Sequence, residues 1–295
     1  MTPGSRSGRD EEMFTTMTAT TTWQVTRDLP TEEAYAALAG DRRWNGYSIA
    51  DLAPATRPWT QIALGRDVTG TAACLFYQHP AFNSLIPDGD PAGVAAILAE
   101  VASDGQLPRE TYILAQESHF AALETVYTFP HGRKAMLRMA VDRATFRAPD
   151  TIVPAARLGE GDLAALTTLY ANYADTTFTP DQLAHGVFYG VREGERLVAA
   201  GGTHVVAAEY GLAAVGNIFV LPAARGRGHG AAITAAIVGT LLAGPCRDVI
   251  LNVAAENAAA QTIYRRLGFV VHCPYNEARA IRRDDAGTTP PHEEE

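Results

Sequence analysis

Cysteine is scarce: Cys74, Cys246 and Cys273 are the only three in 295 residues. An odd number without paired spacing argues against a disulfide framework and a Cys-only zinc site, so no metal is expected. It makes a reducing, cytoplasmic compartment the expectation. No uncharged apolar run reaches the ~18–20 residues of a membrane span. Residues 1–22 are rich in Ser and Thr, carry charge and lack the apolar block of a signal peptide, so no membrane contact is expected. Lysine occurs once, at Lys134; the other basic residues are arginine. Against 24 basic residues stand 33 acidic ones, a net charge of −9, with the acidic excess in both halves. That balance argues against a polyanion binder, and no nucleic-acid partner is expected.

What is present is apolar substance. Hydrophobic residues make up 47% of the chain, enough for sizeable cores. Residues 1–22 and 284–295 read as disordered ends. Arg147-Ala-Pro149-Asp150 reads as a linker between an α/β domain at 23–148 and another at 153–283. In the second, Leu163, Leu166, Tyr170 and Tyr173 predict a helix. Val187–Val191 and Leu197–Val206 predict a hairpin around Glu193-Gly194-Glu195, and Leu212–Leu221 a third strand. A helix follows over Gly228–Ala243, then a strand over Asp248–Val253 and a helix over Asn257–Leu267, stopped by Gly268. Phe269–His272 and Glu277–Ile281 read as two closing strands. The fold class is mixed α/β. The first half repeats the order loosely. Ala73–Tyr77, Thr111–Leu114 and Met136–Val141 read as strands. Val94, Ile97, Leu98 and Val101 mark one helix, and Ser118–Tyr127 reads as another. A degenerate duplication is the expectation.

The informative stretch is Val220-Leu-Pro222-Ala-Ala-Arg225-Gly226-Arg227-Gly228-His229-Gly230-Ala231. A strand ends, a loop turns, and a helix starts on glycines. Unpaired N–H groups at a helix start attract anions, glycine lets the backbone come close, and arginine matches phosphate. The physical reading is a pyrophosphate cradle; the bland alternative is a solvated loop with two surface arginines. Gly226-x-Gly228-x-x-Ala231 also fits a loose dinucleotide fingerprint, the mark of an oxidoreductase. That motif needs an acidic residue at the end of the next strand, and Asp248 stands at its start.

Further on, Asn257 and Tyr264 are seven residues apart and share a helix face. With Ala258, Ala259 and Ala260, and ending in Gly268-Phe269, this segment and the glycine loop resemble the GNAT (N-acetyltransferase) superfamily. The resemblance covers about residues 153–283. It implies a splayed central sheet, acetyl-CoA as co-substrate and direct transfer to an amine, on a small molecule or a protein. It implies that Ile218, Phe219 and Val220 pair with the pantetheine arm. Arg225, Gly226, Arg227, Gly228, His229, Gly230 and Ala231 would form the phosphate loop. Asn257 would contact the cofactor, and Tyr264 would protonate the leaving thiolate. A catalytically idle acyl-CoA sensor is the alternative.

The general base is less defined. Some family members place Glu five residues before the motif Asn, where this chain has Asn252. His204 and Glu209 are the candidates, each with a structural or solvated alternative. His272 beside Cys273 suggests neither a metal site nor a nucleophile. In the first half, Pro87-Asp88-Gly89-Asp90-Pro91-Ala92-Gly93 occupies the loop position with two acids and a proline, so no CoA binding is expected there. Trp44-Asn45-Gly46-Tyr47 reads as an aromatic turn, packed in a core or lining an acceptor pocket between the halves. Arg42, Arg43, Arg133 and Lys134 read as solvated charges.

Overall fold

A computed structural model describes residues 22–149, 153–173 and 176–283. The expected disordered ends, apart from Thr22, lie outside the described residues, as does part of the expected linker. The first half runs β1 (Gln24–Thr26), α1 (Thr31–Leu38), α2 (Gly46–Ala50), β2 (Thr60–Arg66), β3 (Thr71–His79), β4 (Phe82–Gly89), α3 (Pro91–Ser103), β5 (Glu110–Ala115), α4 (Phe120–Leu123), β6 (Tyr127–Thr128) and β7 (Lys134–Asp142). The second runs β8 (Ala156–Leu158), α5 (Leu163–Tyr170), α6 (Pro180–His185), β9 (Phe188–Glu193), β10 (Arg196–Ala207), β11 (Leu212–Val220), α7 (His229–Ala243), β12 (Asp248–Ala254), α8 (Ala258–Arg266) and β13 (Val270–Arg282). Apart from the two-residue β6, the two halves have the same element order.

The strands form one mixed sheet in the order β1-β2-β3-β4-β5-β13-β7-β12-β11-β10-β9-β8. Read from either edge, five strands of one half are followed by the closing strand of the other. β13 pairs with β5, β7 pairs with β12, and the two closing strands lie antiparallel at the centre. The halves have therefore exchanged their last strands.

Packing follows from the apolar pattern. In α3, Val94, Ile97, Leu98 and Val101 form the i, i+3, i+4, i+7 stripe and are all buried. With α4 they cover one face of the first half's sheet, and α1 and α2 cover the other. α7 is buried along Ile233, Ile237 and Leu241 against β10 and β11. Gly268, with φ of +91°, turns the chain out of α8. A Cβ there would run into the Thr145 carbonyl, so glycine is required.

Three expectations change. The two closing strands are one, β13, with an irregularity between Val271 and Cys273. The Ser118–Tyr127 helix shrinks to a 3₁₀ turn over Glu117–His119 and one turn of α4. Tyr127 instead pairs with Arg282 of β13, so the sheet overrides the helical spacing. Arg42 and Arg43 are not merely solvated: Arg43 pairs with Asp248 at 3.0 Å and Asp142 at 2.8 Å, and Arg42 with Asp248 at 3.4 Å. Arg133 likewise pairs with Glu117 at 3.1 Å and lies 3.9 Å from the Phe120 ring centre.

Candidate active site

β11 and β12 pair in parallel only from Leu212–Asp248 to Val215–Leu251. Beyond that the strands part, leaving a wedge-shaped gap. Against β10, β11 slips register between Gly216 and Phe219, a bulge. Asn217 sits in it with φ of +52°, a conformation asparagine tolerates better than most residues. Its carbonyl accepts from Tyr170 Oη at 2.7 Å, its Oδ1 from Thr177 N at 3.2 Å, and its Nδ2 donates to Gln182 Oε1 at 3.2 Å. The bulge turns the Ile218–Val220 backbone along the open edge of the wedge.

At the end of β11, Pro222–Ala224 makes a 3₁₀ turn. Gly226 and Gly228 take φ of +77° and +81°, and α7 begins at His229. Among the described residues, no side chain caps α7. Its first amides therefore keep their attraction for an anion. The corresponding helix of the first half differs: Asp90 Oδ1 accepts from Ala92 N at 2.7 Å, and Pro91 occupies its first turn. That cradle is filled by the chain's own carboxylate. Around the α7 loop, Arg225 Nε donates to the Val220 carbonyl at 3.2 Å, and Arg227 Nη1 to Glu193 Oε1 at 2.6 Å. His229 is 8% exposed, and among the described residues neither of its ring nitrogens has a hydrogen-bond partner, the Glu193 carboxylate lying 3.8 Å from Nε2. Gly230 and Ala231 start the helix; Gly230 faces Ile263 of α8 and Val220 across the mouth of the wedge.

On α8, Asn257 is the N-cap, its Oδ1 accepting from Ala260 N at 3.1 Å. Tyr264 is buried, with its ring 5.8 Å from that of Phe269. Burial, and then Tyr173, push its phenol well above the ordinary range. It holds its proton throughout the working pH range.

His204 projects from β10 over Gly216, where the strands part; a Cβ on Gly216 would fall inside the imidazole. Its Nε2 lies 3.3 Å from Thr177 Oγ1 and its Nδ1 3.1 Å from Tyr47 Oη. Burial lowers the imidazole to about 4, against a weaker opposing effect of a hydrogen bond that the protonated ring donates to Asn217. This sets a pH dependence. Unfolded, the group titrates near 6.5; folded, near 4. Between those values the unfolded chain binds one more proton, so stability is intact above about pH 6.5 and falls toward pH 4. The slope is up to about 1.4 kcal/mol per pH unit. Urea midpoints at three pH values should show it, and His204→Gln should flatten it.

The structure does not bring Glu209 to this gap. It is exposed in the turn Ala208–Tyr210, before the start of β11. From Leu212 to Asn217 alone the strand covers about 17 Å. Neighbouring Tyr210 stacks on Tyr35 at 5.1 Å. Asn252 accepts from Arg138 Nε at 2.7 Å. Asp248, held by Arg42 and Arg43, stands at the start of β12 opposite Leu212, at the other end of β11 from the glycine loop. His272 Nε2 contacts Asp41 at 2.7 Å, a link between the halves. Sequence reasoning missed Asn217, Thr177 and Arg138. An Asn-Ile within an apolar strand was the one signal that could have flagged the bulge.

Residues 158–269 match the acetyltransferase (GNAT) family. It is 36% identical over 148 residues to a mycothiol acetyltransferase of Streptomyces griseus subsp. griseus, a match covering 50% of this chain and 43% of that one. The chain thus spans less than half the length of this curated relative. The fold is shared with a GCN5-related N-acetyltransferase from Sphaerobacter thermophilus (TM-score 0.57, 15% identity, 88% of this chain and 95% of that one). It is shared also with a tandem GNAT protein from the clavulanic acid biosynthesis pathway (TM-score 0.52, 14% identity, 91% and 100%). No described helix is long and apolar enough to cross a membrane.

Proposed function

We propose that the protein is an acetyl-CoA-dependent N-acetyltransferase. Its catalytic unit is residues 153–283, and residues 23–148 are a degenerate copy that binds no CoA. One observation carries the reading: α7 starts uncapped on Gly226, Gly228 and Gly230, at the end of a strand that has just left its neighbour. The filled cradle at Asp90 supports the idle role of the first copy.

Residues Gly226 to Ala231, with Arg225 and Arg227, hold the diphosphate through backbone amides and charge. Arg227 exchanges its Glu193 partner for phosphate. The Ile218–Val220 backbone pairs with the pantetheine arm, and an N–H near Val220 stabilises the developing oxyanion. Asn257 holds the start of α8 beside the arm. His204 accepts a proton from the acceptor nitrogen, and Tyr264 gives one to the departing sulfur. The acceptor is a primary amine on a small molecule, a reading supported by the mycothiol acetyltransferase relative.

Calorimetry with CoA and acetyl-CoA tests the cradle, and thiol release with a panel of amines tests the transfer. Binding without thiol release from any amine would sink the enzymatic reading. Tyr264→Phe is expected to lower kcat about 100-fold, a general-acid effect, and to leave the acetyl-CoA dissociation constant within twofold. Steady-state kinetics beside calorimetry check it.

A further inference from the structure

The turn from Arg43 to Tyr47 belongs to the first half, yet it ends at the second half's wedge. Arg138 of β7, 0% exposed, fixes its backbone. The Nη1 donates to the carbonyls of Arg43 at 3.1 Å and Trp44 at 2.8 Å, while Nε holds Asn252. The guanidinium lies 5.3 Å from the Trp44 ring centre and 5.1 Å from that of Tyr47. Trp44 Nε1 donates to the Pro87 carbonyl at 3.2 Å. Gly46 lacks the Cβ that would strike Ile250, so α2 comes down onto the second half. These constraints leave Tyr47 little freedom, and its hydroxyl meets His204 Nδ1 at 3.1 Å. On the far side, Nε2 faces Thr177 Oγ1.

We propose that Tyr47 is a positioning residue for His204: its oxygen accepts from Nδ1–H, so that Nε2 keeps its lone pair for the acceptor nitrogen. The inference rests on His204 as the base. A neutral imidazole has one N–H, and the partner of one nitrogen decides which carries it. Tyr47 stays a phenol, because burial pushes it up to about 12; Arg138 on β7 opposes this, while Glu277 on β13 and Asp51 after α2 add to it. Among the described residues, the groups that face His204 are Tyr47, Asn217 and Thr177, none of them charged.

A weak base suffices at this position. As the acceptor nitrogen's lone pair forms the C–N bond to the thioester carbon, the nitrogen becomes much more acidic. Nε2 takes its proton, the C–S bond breaks, and the sulfur's electron pair takes the proton of Tyr264. The imidazolium and phenolate are then reset by one proton passing between them through solvent. Without the Tyr47 oxygen, the buried Nδ1–H would lose its acceptor, and the proton would move to Nε2.

Long-range proton–nitrogen NMR of the full chain reads this directly, with His204 assigned by signal loss in His204→Gln. The wild type should carry its proton on Nδ1. Tyr47→Phe should carry it on Nε2, with kcat down at least tenfold and the KM for acetyl-CoA within twofold. A wild-type His204 protonated on Nε2 overturns the proposal, as does Tyr47→Phe with unchanged kcat. The wild-type spectrum decides even where the variant does not fold. If no amine turns over, the acetyltransferase reading fails while the tautomer still settles the positioning.

Discussion

Gly228→Glu is expected to weaken acetyl-CoA binding at least 100-fold while the protein stays folded. The carboxylate would stand at the first amides of α7, where a diphosphate needs positive potential. A hundredfold loss corresponds to about 2.7 kcal/mol. The cost to the fold is smaller. Gly228 has φ of +81°, which an L-residue adopts at about 1–2 kcal/mol. Among the described residues Val153 is the one neighbour near a Cβ, at an ordinary 3.5 Å. A negative charge at a helix start also offsets part of that strain. Calorimetry and a thermal melt check both parts. Unchanged affinity would mean that the phosphates are held elsewhere.

Residues 1–148 and 153–283, expressed apart, should each fail to fold, and should recover a common structure when refolded together. In the second fragment, β12 loses β7 along seven residue pairs, from Asp248–Asp142 to Ala254–Met136. β13 loses all of its partners, which lie in the first half. The exposed edge would present Val249, Ile250 and Leu251 for aggregation. Circular dichroism and size-exclusion chromatography of each fragment and of the mixture check it. A cooperative melt of the second fragment alone would show that strand exchange is dispensable.

The second half was largely legible because its signals are local. Strand alternation, the Glu193-Gly194-Glu195 turn and the glycines opening α7 all act within a few residues. The first half was less so. α1, α2, β1, β2 and β4 escaped notice: α2 is five residues long and largely buried, which leaves no amphipathic stripe. Pro274 and the polar Asn276 separate β13 into two apparent strands, although β5 and β7 on either side hold it continuous. The exchange itself was invisible, since pairing partners over a hundred residues apart leave no periodic mark. So it was with the site. The glycine loop, Asn257 and Tyr264 could be picked out one by one. His204 could be named, but Tyr47 is 157 residues away in sequence, and only the fold joins them. Glu209 has the chemistry of a base, but it lies in the turn Ala208–Tyr210, before the start of β11.

The crossed-over closing strands bear on how a turnover cycle ends. Many two-lobed proteins open like a clamshell to shed product. Here, prying the two halves of the chain apart would strip the ladders joining β7 to β12 and β13 to β5, β6 and β7, twenty-two residue pairs in all. In the proposed enzyme, product release that keeps these ladders intact would rely on rotations of side chains and shifts of short connecting segments around the shared sheet.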